Sequence, residues 1–188
     1  MRWSLLLESG ELARRDYYGN VTIEANNFVV HAPNGKRLLD SVSLTVFPSE
    51  LVALMGPAGA GKTTLLKAPN GYTPPSQGTV LFNGANLYRY YDRSRQPMGY
   101  VPQDDVVHPQ LTVREVLYFS AKLRTELSEE EIAKRTKKVL DDLDIPDKVD
   151  TVIGSPENKT LSGGQRKRVN IALELIVDTP VLFLDEPT

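Results

Sequence analysis

The chain has 188 residues, 40% hydrophobic and 24% charged, a composition that suits one globular domain. A net charge of −2 argues against a general attraction to nucleic acid, and the lack of cysteine excludes a disulfide framework and a thiolate metal site. No run approaches the ~18–20 apolar residues of a membrane span, and the N-terminal residues do not form a secretory signal.

The N-terminal part of the chain predicts a layer of antiparallel strands. We expect residues 1–20 to be a linker or an N-terminal extension. Residues 22–31 are rich in β-formers and residues 41–47 alternate between polar and apolar side chains, so both predict strands. The sequence PNGK at residues 33–36 is a turn signal between them.

The stretch GPAGAGKTT fits the phosphate-binding pattern G-x-x-x-x-G-K-[ST]. Residues 50–55 before it are apolar after Glu50 and predict a buried strand, and the residues after it predict a short helix. Glycines allow the backbone to approach phosphates, whose charge the N–H groups and the helix dipole favour. An ordinary glycine-rich turn is the alternative. Lys62 would serve the terminal phosphates and the Thr63 hydroxyl would ligate Mg²⁺. The candidate phosphate-binding residues are Gly56, Pro57, Ala58, Gly59, Ala60, Gly61, Lys62, Thr63 and Thr64.

The segment after this motif predicts a short helix, a loop and two strands. Pro69 has no N–H to continue the helix and is expected to end or kink it. Residues 71–78 contain two prolines and two glycines and predict a loop. Residues 79–82 predict a strand, and residues 99–103 predict a strand that runs into a loop.

Two helices are predicted in the next segment, at residues 112–124 and 128–143, from the helical spacing of their apolar residues. Each begins with a capping-box signature, Thr112 with Glu115 and Ser128 with Glu131. A mostly helical insert of roughly sixty residues therefore separates two strand-rich parts.

The sequence LSGGQ, residues 161–165, predicts the start of a third helix that runs to about residue 177. Ser162 would be the N-cap and Gln165 would close a capping box. Two glycines at a helix start each cost about 1 kcal/mol, but bare glycine amides beside a serine hydroxyl also form an anion site. The candidate anion-binding residues are Ser162, Gly163, Gly164 and Gln165. The basic residues 166–168 are interpreted as a solvated helix face rather than a nucleic-acid patch.

The chain ends on VLFLDEPT, residues 181–188. Four consecutive apolar residues predict a strand buried on both faces. Asp185 at its carboxyl end can hold Mg²⁺ through water, and Glu186 can orient or deprotonate an attacking water. After a phosphate loop, this is the expected second half of a nucleotide site.

In this order, GPAGAGKTT, LSGGQ and VLFLDEPT resemble an ATP-binding cassette of the ABC family, over residues 21–188. The resemblance implies an α/β phosphate-loop NTPase core with an N-terminal antiparallel β layer and a helical subdomain at about residues 105–178, and it implies ATP and Mg²⁺ as ligands. Gln103, in GYVPQDD, is similar to the family's Q-loop glutamine, which contacts Mg²⁺ and couples to a transmembrane partner. By the same resemblance, Asp185 holds the metal and Glu186 is catalytic. LSGGQ would bind the γ-phosphate held by a second cassette.

The runs RKRVNIALELI and QDDVVHPQLTVREVLYFSAKLR are similar to the G-type (White) half-transporters, in which the cassette precedes the membrane domain. This resemblance implies a cassette that powers export at the cytoplasmic face of the cell membrane. It further implies a transmembrane domain fused after Thr188, a second cassette in a homo- or heterodimer, and no nucleic-acid partner. The aromatic contact to adenine that the family uses stays open between Phe28 and His31.

The family's switch histidine follows the DEPT stretch, so we expect a C-terminally incomplete cassette. The strand carrying that histidine lies between the phosphate-loop strand and the Asp-Glu strand. The coordinates are therefore expected to show a vacant slot between residues 51–55 and 181–184, or another strand order. We also expect the 188-residue chain alone to be unstable and to lack steady ATPase activity.

Two other functions fit less of the sequence. A soluble ABC ATPase of DNA repair would carry a long coiled coil, and one of translation would carry two cassettes, but neither is seen. A different phosphate-loop enzyme, such as a small-molecule kinase, would not carry LSGGQ. The reading frame beyond Thr188 discriminates between them, since hydrophobic spans of ~20 residues indicate a transporter.

Overall fold

A computed structural model describes residues 20–89, 98–155 and 160–187. All but the last residue of the predicted N-terminal extension, residues 1–20, lies outside the described residues. The chain divides into two compact units, Met1–Met98 and Gly99–Thr188. Within the described ranges, none of the helices combines the length and the apolarity that crossing a membrane requires.

The first unit is built on an antiparallel sheet of four strands. They are β1 (Ile23–His31), β2 (Arg37–Val46), β3 (Gln77–Phe82) and the short β4 (Ala85–Asn86). Their order is β2-β1-β3-β4, with β1 paired to both β2 and β3. The predicted antiparallel layer is confirmed. β2 begins four residues before the predicted strand because the turn at residues 33–36 is closed tightly by Ala32 N–H donating to the Lys36 carbonyl at 2.8 Å.

The core of this unit depends on an irregularity in β1 that interrupts the alternation of buried and exposed residues. The register shifts between Ala25 and Phe28, and Asn27 adopts a φ of 46°. Because of this irregularity, three consecutive residues are buried where strict alternation would expose one of them. The buried side chains of the sheet are Ile23, Ala25, Phe28, Val29, Val30, Leu39, Val80 and Phe82.

The predicted buried strand at residues 50–55 is wrong. Residues 51–55 have no strand assignment, and Leu51 and Met55 are 98% and 92% exposed. A strand forms only where a neighbour pairs its N–H and C=O groups. In the part of the first unit that the structure describes, no strand pairs with this segment, so its apolar residues remain in solvent. The predicted slot between this segment and residues 181–184 stays a prediction.

The helix after the phosphate loop is short, as predicted. α1 (Lys62–Lys67) ends before Pro69, which cannot supply the next helical N–H. The Tyr88 hydroxyl lies 2.6 Å from the Ala68 carbonyl and 2.7 Å from that of Thr73. The Ala68 carbonyl also accepts from Gly71 N–H at 3.2 Å, so the tyrosine adds a second donor where the helix ends.

The second unit contains three helices among its described residues. They are α2 (Val113–Arg124), α3 (Glu129–Asp142) and α4 (Gly163–Leu175), with a 3₁₀ turn at Pro146–Lys148. The predicted helices are confirmed, and all three predicted capping boxes are present. Their apolar faces pack on each other in one core. Its members that are at most 2% exposed are Val113, Leu117, Ala121, Ile132, Leu140, Ile145, Ile153, Leu161, Val169, Ala172 and Ile176.

The second unit also holds a two-stranded sheet, formed by β5 (Met98–Val101) and β6 (Val181–Leu184). Both strands were predicted. The expected burial of β6 on both faces is wrong, because each of its four residues is only partly buried. Within the described residues β6 has one neighbouring strand, and one neighbour cannot cover both faces and both edges.

Candidate functional site

The phosphate loop, residues 56–61, is largely exposed and turns tightly. Ala60 N–H donates to the Pro57 carbonyl at 3.2 Å. Gly61 is the N-cap of α1 with a φ of 89°, a left-handed conformation that L side chains rarely adopt. A methyl group there would also lie 3.2 Å from the Leu39 side chain. Glycine is therefore required where the loop enters the helix.

Lys62 holds its charge against this loop. Its Nζ donates to the Gly56 carbonyl at 2.8 Å and to the Pro57 carbonyl at 3.0 Å. It is the one cation in residues 56–64, so the charge available to an anion in this loop is that of Lys62. Thr63 follows it in the first turn of α1 and is partly buried.

Asp185 and Glu186 occupy different environments directly after β6. Asp185 is 2% exposed, its N–H donates to the Val101 carbonyl at 2.9 Å, and its Oδ2 accepts from the Tyr100 hydroxyl at 3.2 Å. Glu186 is exposed and has a φ of 49°, a left-handed conformation that costs a residue with a Cβ roughly 1–2 kcal/mol. One carboxylate is anchored inside the fold and the next is turned outward.

Gln103 contacts the outward carboxylate. Its Nε2 donates to Glu186 Oε2 at 2.7 Å. The structure thus brings together Gln103, Asp185 and Glu186 at the ends of β5 and β6, although the first lies 83 residues from the last. The predicted phosphate-loop residues belong to the first unit and these three belong to the second.

The residues near Asp185 fit a magnesium ion by their chemistry. Mg²⁺ takes hard oxygen ligands, usually one or two carboxylates together with substrate phosphates. Asp185 supplies such a carboxylate, and the amide oxygen of Gln103 is a second oxygen of the right kind. In residues 20–89, 98–155 and 160–187 there is no group of three acidic or histidine side chains that would form an all-protein metal cage.

The LSGGQ sequence forms the expected capped helix start. Ser162 Oγ accepts from Gln165 N–H at 3.2 Å, and Ser162 N–H donates to Gln165 Oε1 at 2.9 Å. A methyl group added at Gly163 or Gly164 would meet nothing within 4 Å. Packing inside the described chain therefore does not require these glycines. Their small size instead leaves the amides of the first turn accessible.

Burial reduces the two candidates for the adenine contact, Phe28 and His31, to one. Phe28 is 0% exposed in the core of the first sheet, so its ring offers no surface for stacking. His31, at the end of β1, is partly exposed and keeps the role as a prediction.

The interpretation of residues 166–168 as a solvated helix face is wrong for Arg166 and Lys167, whereas Arg168 is exposed as expected. Arg166 is 7% exposed and donates to the Gly154 carbonyl at 2.8 Å. Lys167 Nζ donates to the carbonyls of Pro102 and Gln103, and Arg168 donates to the Leu143 carbonyl at 3.1 Å. Arg166 and Lys167 both contact residues 102–105, and Arg168 contacts residues 143–144. The count of charges in the sequence does not reveal these contacts.

Tyr100, Arg166 and Asn170 are site residues that the sequence analysis did not identify. A signal existed for the last two. Arg166 precedes the buried Val169 by three positions, and Asn170 follows Arg166 by four, so helical spacing places them on the buried face of α4. For Tyr100 the signal is weaker: strand alternation only sets it opposite the buried Val101.

Comparisons with known proteins agree with these features. The family model described as ABC transporter matches residues 39–188. A solved ATP-binding subunit of an ABC transporter has the same fold, with a TM-score of 0.71 and 27% identity over 88% of this chain and 66% of that chain. The α/β fold is therefore that of an ATP-binding cassette. The chain belongs to the ABC transporter family.

The curated relatives are much longer than this chain. An ABC transporter ATP-binding/permease protein of Mycobacterium tuberculosis is 40% identical over 98% of this chain and 21% of its own length. ABC transporter G family member 28 of Arabidopsis thaliana is 40% identical over 81% of this chain and 14% of its own length. G family member 15 of Dictyostelium discoideum is 41% identical over 100% of this chain and 12% of its own length. The resemblance to G-type transporters is thereby confirmed, and the chain spans about a fifth or less of these relatives.

Proposed function

We propose that this chain binds Mg-ATP and that the full-length protein hydrolyses ATP to drive transmembrane transport. The observation that carries the proposal is the contact between Gln103 and Glu186 beside the buried Asp185. An exposed carboxylate held by a single amide can accept a proton from water, whereas the buried neighbour is held in place by its hydrogen bonds. Acid–base chemistry and cation binding are thus divided between two adjacent residues.

We assign roles to the other candidate residues from their chemistry. The glycine-rich loop at residues 56–61 and the Lys62 ammonium bind the phosphates of ATP. Thr63, Gln103 and Asp185 would hold Mg²⁺, which neutralises phosphate charge when bound. Glu186 orients and deprotonates the attacking water. The accessible first turn of α4 receives the γ-phosphate from a second cassette, with Ser162, Gly163, Gly164 and Gln165 as its contacts.

The proposal includes partners outside this chain. Its relatives are named transporters and are several times longer, which supports a transmembrane domain in the same protein. We place the cassette at the cytoplasmic face of the cell membrane, paired with a second cassette when ATP is bound, and we assign the transport direction as export. A role in DNA repair or translation has no support among the relatives described above.

The test uses the full-length protein purified from membranes. Phosphate release should require Mg²⁺ and stop when EDTA is added, and the protein should remain with the membrane fraction. A protein that stays soluble and whose ATPase is stimulated by DNA or ribosomes would favour the alternative instead. A protein that releases no phosphate under any of these conditions would refute the assignment.

A further inference from the structure

Three side chains of α4 hold the chain on both sides of Gln103. Lys167 Nζ donates to the Pro102 carbonyl at 3.0 Å and to the Gln103 carbonyl at 2.8 Å. Arg166 Nε lies 3.3 Å from Asp105 Oδ2. The same carboxylate accepts from Asn170 Nδ2 at 2.7 Å. We call Arg166, Lys167 and Asn170 the Q-loop clamp.

The clamp is directed at the backbone as well as at a side chain. Val106 N–H donates to Asn170 Oδ1 at 3.1 Å, so Asn170 binds Asp105 with one end of its amide and Val106 with the other. Asn170 is 2% exposed and Arg166 is 7% exposed. Hydrogen bonds to such shielded groups are costly to break without a replacement partner. Residues 102–106 are therefore fixed to the first two turns of α4.

This attachment leads to the candidate catalytic carboxylate. The backbone of Gln103 is held by Lys167, and its side chain donates to Glu186 Oε2 at 2.7 Å. The position of the amide against Glu186 thus depends on where α4 holds the Gln103 backbone. α4 is also the helix whose first residues are the candidate γ-phosphate contacts.

We propose that Lys167 is a positioning residue for hydrolysis: its ammonium sets the Gln103 amide against Glu186 and links this contact to the start of α4. The inference rests on the proposed function. Loss of the ammonium removes the donor that binds the carbonyls of Pro102 and Gln103. The backbone that carries the Gln103 side-chain amide is then less firmly held. Lys167 lies outside the residues that we assign to nucleotide binding, so its loss changes turnover rather than affinity.

The experiment compares three variants in the full-length protein. Lys167→Met keeps the length of the side chain and removes the charge. Lys167→Arg keeps a donor that can reach the carbonyls. Arg168→Met is the matched control. Arg168 also donates to loop carbonyls, those of Leu143 and Asp144, but its hydrogen bonds do not involve residues 102–106.

Two measurements are made on each variant. We expect Lys167→Met to lower kcat about tenfold with KM for ATP within about twofold of the parent, a pattern that indicates loss of an interaction needed only for turnover. Hydrogen exchange at the amides of residues 103–107 should become faster in the same variant. Lys167→Arg should restore most of kcat, and Arg168→Met should match the parent in both measurements.

The outcomes separate the inference from the function on which it rests. Parental exchange at residues 103–107 in Lys167→Met would overturn the clamp, whether or not the protein is an ATPase. Parental kcat in that variant, in a protein that hydrolyses ATP, would overturn the positioning role. An equal loss of kcat in Arg168→Met would show a general structural effect and would also overturn it. A parent protein without ATPase activity would refute the proposed function, while the exchange measurement would still decide on the clamp.

Discussion

At the scale of single residues, we expect the charge of Lys62 to contribute most to ATP binding. Its Nζ lies against the carbonyls of Gly56 and Pro57, within the loop that we assign to the phosphates. We predict that Lys62→Ala weakens ATP binding at least about tenfold, or about 1.4 kcal/mol. Calorimetric titration of the full-length protein measures this. Lys36→Ala, a change in an exposed turn of the same unit, is the control, and equal affinities in both variants would contradict the assignment.

Glu186 is the residue that we expect to separate binding from hydrolysis. Glu186→Gln keeps an oxygen that can accept from Gln103 Nε2, but the amide cannot act as a base. We predict that ATP binding is retained while hydrolysis falls by about 10²–10⁴-fold. ATP should then hold two cassettes together, which a sizing column detects. Glu130→Gln, on an exposed position of α3, should behave like the parent, and parental turnover in Glu186→Gln would refute the catalytic role.

At the scale of elements, the helices of the second unit begin with reciprocal hydrogen bonds. In α3, Ser128 Oγ accepts from Glu131 N–H at 3.3 Å, and Ser128 N–H donates to Glu131 Oε2 at 2.8 Å. We predict that Ser128→Ala destabilises the first turn by about 1 kcal/mol. Amide exchange at residues 129–132 should become about fivefold faster. Ser128→Thr retains the capping hydroxyl and should show no such change, so equal acceleration in both variants would argue against the cap.

At the scale of the whole molecule, the described carboxylates with shifted pKa all change in the same direction. Hydrogen bonds from the capping backbone of Thr112 and Ser128 lower the pKa of Glu115 and Glu131. The hydrogen bond from Lys122 lowers the pKa of Glu129. Hydrogen bonds from Lys148 and Arg114 lower the pKa of Asp147 and Asp150, respectively.

These pKa shifts predict how the stability of the fold depends on pH. A carboxylate whose pKa is lowered by folding stabilises the fold above its unfolded pKa, about 4 for Asp and Glu, and this contribution is lost as pH falls through the lower folded value. We therefore expect the urea midpoint, followed by circular dichroism, to be lower at pH 3 than at pH 6. A midpoint that rises on acidification would contradict this. Replacing Glu115 and Glu131 together by glutamine should reduce the pH dependence.

The sequence alone determined the features that depend only on residues close together in the chain. The capping boxes join residues only three positions apart, and the end of α1 depends on the missing N–H of Pro69, so both could be predicted without any tertiary contact. The residues of the phosphate loop and of LSGGQ, together with Gln103, Asp185 and Glu186, were likewise visible as motifs. Their chemistry depends on residue type and spacing, which the sequence displays directly.

The tertiary structure decided what depends on distant partners. Residues 51–55 have the apolar composition of a buried strand, yet a strand also needs a neighbour, and hydropathy does not report one. Lys167 is attached to Gln103 across 64 residues, and Tyr100 to Asp185 across 85. A lysine in a basic run has the same sequence signature whether water or a loop carbonyl accepts its hydrogen bonds. Only the folded chain brings those carbonyls within 3 Å of the Lys167 ammonium. The sequence pattern predicted this charge to be in solvent, whereas the fold makes it part of the site.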